Sequence, residues 1–286
     1  MWQNVKTAFL LGLLDAIFLV IGLAIGHRTG LIIAAIIAVL FNAFSYWNSD
    51  KIAVAASRAQ EVSPEEAPEL HRIIEELAAG SGMPKPRVYI TDDPSPNAFA
   101  TGRNPRHAAV CVTTGILNLV TARELRGVLA HELSHVRNRD ILTASVAATI
   151  ALGISVIAQI GQFALFFGGF GGRDGEDGES WLTTLLLVIF APLAAAIIQF
   201  AISRAREYEA DHDGAVLSRD PIALADALGK LAARTQQVPM QVAPAIAPLY
   251  IVNPFGGRRV SMSNLFSTHP PIEERIARLQ RMAGTV

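Results

Sequence analysis

The chain has 286 residues, of which 51% are hydrophobic and only 17% are charged, against about 25% charged residues in ordinary soluble domains. Its formal net charge of −1 gives no reason to expect nucleic acid or an acidic partner. The single cysteine, Cys111, excludes an internal disulfide and fits a reducing compartment.

Four apolar runs approach or exceed the length of about 17–25 residues that crosses a bilayer. They cover residues 8–25, 31–47, 141–167 and 182–202. A buried core helix is the alternative, but a stretch as long as 141–167 without a full charge favours a membrane span. Lys6 makes the first run resemble a signal sequence, yet no small-residue cleavage site is evident, and Gly26–Gly30 predicts a tight turn. We therefore expect two transmembrane hairpins.

Polar residues interrupt the first two runs at Asp15 and Asn42. A carboxylate inside a span costs roughly 2.5–3.5 kcal/mol on insertion scales. We therefore expect Asp15 to be protonated or paired within the bundle.

Lysine and arginine residues beside the runs predict the orientation of the chain in the membrane. One side carries Lys6, Lys51, Arg58, Arg137, Arg139, Arg204 and Arg206, whereas the other carries only Arg28 and Arg173. Both termini, and everything outside the two hairpins, are therefore expected to face the cytosol.

The predicted organisation is a hairpin at 1–50, a cytosolic part at 51–140, a second hairpin at 141–202 and a second cytosolic part at 203–286. The cytosolic parts are expected to pack as one α+β domain with a small sheet. The predicted elements, in chain order, are a capped helix that begins at Ser63 and ends at Gly80, strands at Arg87–Asp93 and His107–Thr114, and a helix that begins at a capping box of Thr121 and Glu124. The fold class is thus mainly α and multi-pass.

That last helix carries the sequence LRGVLAHELSHVRNRD. Residues four apart on a helix share a face, so His131 and His135 can present two imidazoles to one cation, with Glu132 beside them. This is an HExxH motif, in which two neutral histidines bind zinc and the glutamate acts as general base on metal-bound water. The alternative is a helix with solvated histidine and glutamate side chains.

A catalytic zinc needs three protein ligands and one open position. The segment Ser203–Gly214 offers five candidates for the third ligand: Glu207, Glu209, Asp211, His212 and Asp213. At helical spacing Glu207 and Asp211 share one face, while Glu209 and Asp213 share another. Periodicity does not choose between these pairs, nor does it exclude His212.

The motif HELSHVRNRD, the later SRAREYEAD, the apolar hairpin between them and STHPP at 267–271 resemble the HtpX family of bacterial membrane zinc metalloproteases, which are relatives of the type-1 CAAX prenyl proteases. The resemblance covers nearly the whole chain. It implies a zincin-like peptidase domain in the bacterial inner membrane, with one zinc ion per chain. The implied zinc ligands are His131, His135 and Glu207, and the implied base is Glu132.

The resemblance implies further site residues. Asp211, one turn after Glu207, would orient a ligating histidine. His269 and Arg275 would lie near the substrate, although His269 could merely precede a helix begun by Pro270, and Arg275 could be a solvated charge.

The segment Asn97–Thr101 is expected to be an edge strand that pairs with an extended substrate backbone. An ordinary loop is the alternative. Asn97 is therefore a further candidate for substrate contact.

Four rival functions are less consistent with the sequence. An intramembrane protease would embed the HExxH helix in lipid, whereas here charged residues surround it. A zinc transporter would place ligands inside its spans, but the four runs contain no histidine. A CAAX protease would use a larger helical chamber than four spans build, and an inactive scaffold would not retain every element needed for zinc hydrolysis.

The sequence therefore predicts a low-selectivity endopeptidase at the bilayer surface. Polypeptide substrates that are themselves membrane proteins suit this position, and the family resemblance implies quality control of misfolded or damaged ones. No nucleic acid partner is expected.

Overall fold

The structure, a computed structural model, describes residues 2–152, 204–256 and 270–284, with side chains described at only some positions of residues 2–26. It is mainly helical with one small mixed sheet. The helices are α1 (Trp2–Ala56), α2 (Pro68–Gly80), α3 (Thr114–Leu119), α4 (Ala122–Arg137), α5 (Asp140–Leu152), α6 (Arg204–Ser218), α7 (Pro221–Gln237) and α8 (Ile272–Met282). The strands are β1 (Gln60–Glu61), β2 (Arg87–Thr91), β3 (Ala98–Gly102) and β4 (Ala108–Thr113).

Helix α1 consists of two arms that fold back on each other. The Asn42 side-chain amide donates to Asp15 Oδ1 at 2.7 Å, although 27 residues separate the two. In a straight helix, residues that far apart would lie about 40 Å from each other. The chain reverses where His27 adopts a left-handed φ of 48°, inside the predicted turn at Gly26–Gly30. The expected pairing of Asp15 is therefore observed.

The second arm of α1 has the properties of a membrane span. Residues His27–Ala56 form a stretch of 30 residues that contains an 18-residue window with a mean hydropathy of 2.0, so the stretch is long and apolar enough to cross a bilayer. Its exposed large side chains include Ile32, Ile33, Ile36, Ile37, Val39, Leu40, Phe44 and Trp47. The third predicted run is helical from its start to Leu152, and the remainder of that run and the whole fourth run lie outside the described residues.

The sheet has the strand order β1-β2-β4-β3. Its central pair, β2 and β4, is parallel, with Val88 opposite Val110, whereas β1 and β3 run antiparallel to their neighbours. The predicted segment Asn97–Thr101 is therefore a strand at the sheet edge rather than a loop, although it begins at Ala98.

Helix α2 begins later than the sequence predicts. The capping box is present, since the Ser63 backbone N–H donates to Glu66 Oε2 at 2.7 Å, but the chain forms a turn there. Pro68 disfavours helical geometry in the residue before it, and Ala67 has φ −136° and ψ 61°. The helix therefore begins at Pro68.

Helix α4 is the centre of the domain. Its predicted capping box forms: the Thr121 N–H donates to Glu124 Oε2 at 2.8 Å, and the Glu124 N–H donates to Thr121 Oγ1 at 3.3 Å. Two glycines let other helices approach its backbone. A Cβ on Gly127 would lie 2.8 Å from the Leu224 nitrogen of α7, and a Cβ on Gly214 of α6 would lie 2.8 Å from His131 Cα. Helix α6 is therefore held directly against the HExxH turn.

Candidate metal centre and active site

Two helices bring together a group of side chains that suits a metal ion. The ligand atoms of His131 and His135, from α4, and of Glu207, from α6, all lie within 4.8 Å of one another. His131 Nε2 is 3.8 Å from Glu207 Oε2, and His135 Nε2 is 3.6 Å from Glu207 Oε1. Tetrahedral zinc, with bonds of about 2.0–2.2 Å, holds its ligand atoms about 3.3–3.6 Å apart. The two distances from histidine to Glu207 are close to this range, and two imidazoles with one carboxylate form a donor set that suits zinc.

The orientation of α6 decides which of its acidic residues face α4. Glu207 and Asp211 are buried, whereas Glu209 is exposed and the His212 side chain is 63% exposed. Asp213 accepts hydrogen bonds from Arg137 at 2.7 Å and Asn138 at 3.0 Å. The sequence did not determine which face of α6 turns toward α4, and in the structure it is the face with Glu207 and Asp211.

Each histidine has a carboxylate on the ring nitrogen that points away from Glu207. His131 Nδ1 lies 3.0 Å from Asp211 Oδ1, although its N–H does not point straight at that oxygen. His135 Nδ1 lies 3.4 Å from Asp140 Oδ2. Carboxylates in this position set the tautomer and ring orientation of metal-binding histidines. Both Nε2 atoms therefore point toward Glu207.

Asp140 is a site residue that the sequence analysis missed. It lies five residues after His135, which is not a helical spacing. Helix α4 ends at Arg137, and Arg139 adopts a left-handed φ of 59° before α5 begins. This turn brings Asp140 back to the histidine, and Arg206 Nη1 lies 3.6 Å from its second oxygen.

The expectation that Arg275 contacts substrate is corrected by the structure. Arg275 is fully buried and donates from Nε and Nη2 to the two oxygens of Asp211, at 2.8 and 2.7 Å. Its Nη1 donates to the Ile251 carbonyl at 2.9 Å. Arg275 therefore lies behind Asp211 and positions it.

The expectation for Asn97 is also corrected. Its side chain is fully buried, donates to the Val252 carbonyl at 3.0 Å and accepts from the Val252 N–H at 3.3 Å. These bonds tie the start of β3 to the segment after α7, so the amide is not available to a substrate. His269, the remaining candidate, lies outside the described residues.

A small cavity of about 40 Å³ opens over the histidines and Glu207. It is lined by Ala100, His131, Glu132, His135, Asp140, Ile141, Ala144, Arg206, Glu207, Pro248, Leu249, Tyr250 and Ile251. The edge of β3 reaches it at Ala100, whose backbone N–H favours the charged form of the Glu132 carboxylate. The Ala98 carbonyl already accepts from the Ile251 N–H at 3.0 Å, so part of the strand edge is occupied.

Burial and neighbouring charges set the protonation of the site. Burial lowers the pKa of His131 to about 4, which favours the neutral form that binds metals. Burial raises the pKa of Glu132 to about 8, and the Glu207 carboxylate adds to this against the opposing effect of His135. Burial alone would lower the pKa of His135, but the carboxylates of Asp140, Glu207 and Glu132 raise it to about 9.

The pKa of the Asp211 carboxyl is lowered, in contrast to that of the Glu132 carboxyl. Burial alone would raise it, but the Arg275 guanidinium outweighs burial and lowers the pKa to about 2. Asp211 is therefore ionised at neutral pH beside His131.

Comparison with known proteins finds a peptidase family and proteases of similar sequence. Residues 64–283 match the model of Peptidase family M48. The Protease HtpX homolog of Ralstonia pickettii (strain 12J) is 51% identical over 288 residues, covering 100% of this chain and 98% of the relative. The homolog of Persephonella marina (strain DSM 14350 / EX-H1) is 52% identical over 285 residues, covering 98% of each chain.

The fold is similar to a solved structure, the crystal structure of S. mikatae Ste24p, with a TM-score of 0.52. The two chains are 20% identical, and the likeness covers 97% of this chain and 64% of the Ste24p chain, so it concerns the fold alone. The family match covers most of the chain, and it agrees with the HExxH helix and with the residues gathered around it. The chain is therefore a metallopeptidase that belongs to peptidase family M48.

Proposed function

We propose that this chain is a zinc-dependent endopeptidase integrated in the bacterial inner membrane, with its active site facing the cytosol. The observation that supports this most strongly is the convergence of His131, His135 and Glu207, with Glu132 on the same cavity. The names of the relatives at about half identity describe proteases.

His131, His135 and Glu207 would hold one zinc ion. When bound, zinc would polarise the scissile carbonyl and make water more acidic. Glu132 would accept the proton of the attacking water and deliver it to the leaving amine. The backbone N–H of Ala100 favours the ionised form of Glu132, which is the form that accepts the proton.

Three residues around the proposed ligands would fix the orientation of the two histidines. Asp211 and Asp140 would orient the two imidazoles, and Arg275 keeps Asp211 ionised and in position. An extended substrate would lie along β3 beyond Ala98, because the carbonyl of Ala98 is already occupied. His269 is proposed to lie near the substrate by resemblance only.

The activity can be tested on the purified full chain. Zinc should copurify with it, casein should be cleaved, a chelator should abolish cleavage, and added zinc should restore it. An inactive scaffold would bind zinc without cleaving casein, and that outcome would contradict the proposal.

The membrane arrangement is proposed from the apolar runs. Four spans, at 8–25, 31–47, 141–167 and 182–202, would hold the cytosolic parts 51–140 and 203–286 at the bilayer. Helix α5 begins at Asp140, which lines the cavity, so an apolar helix leaves directly from the site. Because the site would be close to the bilayer, membrane proteins are the proposed substrates, and quality control of misfolded or damaged ones is the proposed role.

The orientation is tested by cysteine labelling in a Cys111→Ala background. Gly175→Cys, between the third and fourth predicted spans, should react with a membrane-impermeant maleimide in spheroplasts. Glu65→Cys, in an exposed turn of the cytosolic part, should react only after the membrane is opened. Labelling of position 65 from outside would reverse the proposed topology.

A further inference from the structure

A groove of about 400 Å³ lies beside the end of α1, away from the catalytic cavity. Three segments form it: the last turns of α1, the start of β2 and the connection between β3 and β4. The lining residues are Trp47, Asp50, Lys51, Lys85, Arg87, Arg103, Arg106, His107 and Ala108.

The groove carries an excess of positive charge, since five lysine or arginine side chains and a single carboxylate line it. Arg87 is paired with Asp50 at 2.6 Å, and Lys85 with Glu75 at 2.8 Å.

Three cations of the groove are not neutralised in this way. Within the described ranges, Lys51, Arg103 and Arg106 form no ion pair, and Arg103 Nη1 donates to the Trp47 carbonyl at 3.1 Å. Cations that converge in a concave surface without counter-charges attract an anion.

The position of the groove along α1 indicates which anion. The exposed apolar face of the second arm, which includes Leu40 and Phe44, ends at Trp47, whose side chain is 57% exposed. Lys51 follows one turn later, about 10 Å along the axis from Phe44. Tryptophan followed by basic residues is typical of the boundary between hydrocarbon and headgroups. If the second arm is the span proposed above, the groove opens at the depth of the lipid phosphates.

We propose that this groove binds the headgroup of an anionic phospholipid in the cytosolic leaflet, with Arg103, Arg106 and Lys51 around its phosphate. The planar guanidinium group matches phosphate oxygens in a two-pronged arrangement. Basic pockets beside membrane spans are suited to anionic headgroups, whereas a choline headgroup would place its own cation among these side chains.

The site has a consequence for the peptidase. Arg103 directly follows β3, and Ala100 of that strand lines the catalytic cavity. A bound headgroup would therefore hold the substrate-facing edge of the sheet at a defined height above the bilayer. This inference rests on the proposed membrane placement of α1 and not on the peptidase activity.

The test uses the purified full chain in a neutral detergent with three probes: dioctanoyl phosphatidylglycerol, dioctanoyl phosphatidylcholine and inorganic phosphate. Native mass spectrometry measures retained lipid, and thermal unfolding measures the shift that each probe causes. The test variant is Arg103→Gln with Arg106→Gln. The control variant, Arg234→Gln with Arg281→Gln, removes two exposed guanidinium groups from α7 and α8, which do not line the groove.

Phosphatidylglycerol should bind and raise the melting temperature, whereas phosphatidylcholine and phosphate should do neither. The test variant should bind phosphatidylglycerol roughly 30-fold more weakly, the effect of losing two cations near an anionic surface. The control variant should bind like the unmodified chain.

Several results would overturn the proposal: equal binding of the two lipids, an unchanged affinity in the test variant, or an equal shift with phosphate alone, which would indicate a free-phosphate site. If the double variant does not fold, Arg106→Gln alone serves, since Arg106 is exposed. The comparison of the three probes on the unmodified chain tests the preference for an anionic lipid without any variant.

Discussion

Replacing Glu132 with glutamine is expected to lower the rate of peptide hydrolysis by about 10²–10⁴-fold, the usual contribution of a general base, while the zinc content stays unchanged. Glu132 lines the cavity next to His131 but does not belong to the group of three potential ligands. Glutamine has nearly the same size but cannot accept a proton from water. The variant should therefore keep the site and lose the chemistry.

Casein cleavage and metal analysis of the purified variant measure the two effects separately. Glu209→Gln is the matched control, because Glu209 is exposed on α6 and should leave both quantities unchanged. Activity close to that of the unmodified chain would remove Glu132 from the role of base. Loss of zinc together with activity would make it a ligand instead.

Glu207→Gln is expected to weaken zinc binding by more than the roughly 10–100-fold that the loss of an outer partner costs. The change replaces an anionic oxygen with a neutral amide at a position 3.6 and 3.8 Å from the two histidine nitrogens. Glu209→Gln, the same change two residues later, should have little effect, because that side chain points about 160° around the helix.

The carboxylates beside the two histidines can be tested in the same way. Asp211→Asn and Asp140→Asn should each cost roughly 10–100-fold in zinc affinity. Asp211→Asn should also lower the stability of the chain, because the fully buried Arg275 guanidinium would lose its counter-charge. Asp140→Asn should lower stability less, since Arg206 lies 3.6 Å from Asp140, whereas Arg275 lies 2.7 Å from Asp211.

Equilibrium competition for zinc against a chelator at fixed pH ranks these variants, with His212→Ala as an exposed control on α6. If Glu209→Gln or His212→Ala proves most damaging while Glu207→Gln is tolerated, then the proposed ligand set is wrong. If Asp140→Asn behaves like the unmodified chain while Asp211→Asn binds zinc more weakly, then the 3.4 Å contact has no role in holding His135.

The sequence by itself determined the features that depend on neighbouring residues. The capping box of Thr121 and Glu124 marked the start of α4, and the four-residue spacing placed His131 and His135 on one face. The turn at Gly26–Gly30 contains the observed reversal at His27. Periodicity also grouped Glu207 with Asp211, but it could not tell which face of α6 turns inward, and only the resemblance singled out Glu207.

The tertiary structure decided what depends on residues far apart in the chain. A charged side chain can be buried only where another element supplies its partner, and Arg275 finds Asp211 at a separation of 64 residues. Asn97 finds the Val252 backbone at a separation of 155 residues. Asp140 reaches His135 only because a left-handed residue breaks the helical spacing between them. Local patterns carry no information on such partners, so they did not predict that Arg275 lies behind Asp211, that Asn97 binds the Val252 backbone or that Asp140 reaches His135.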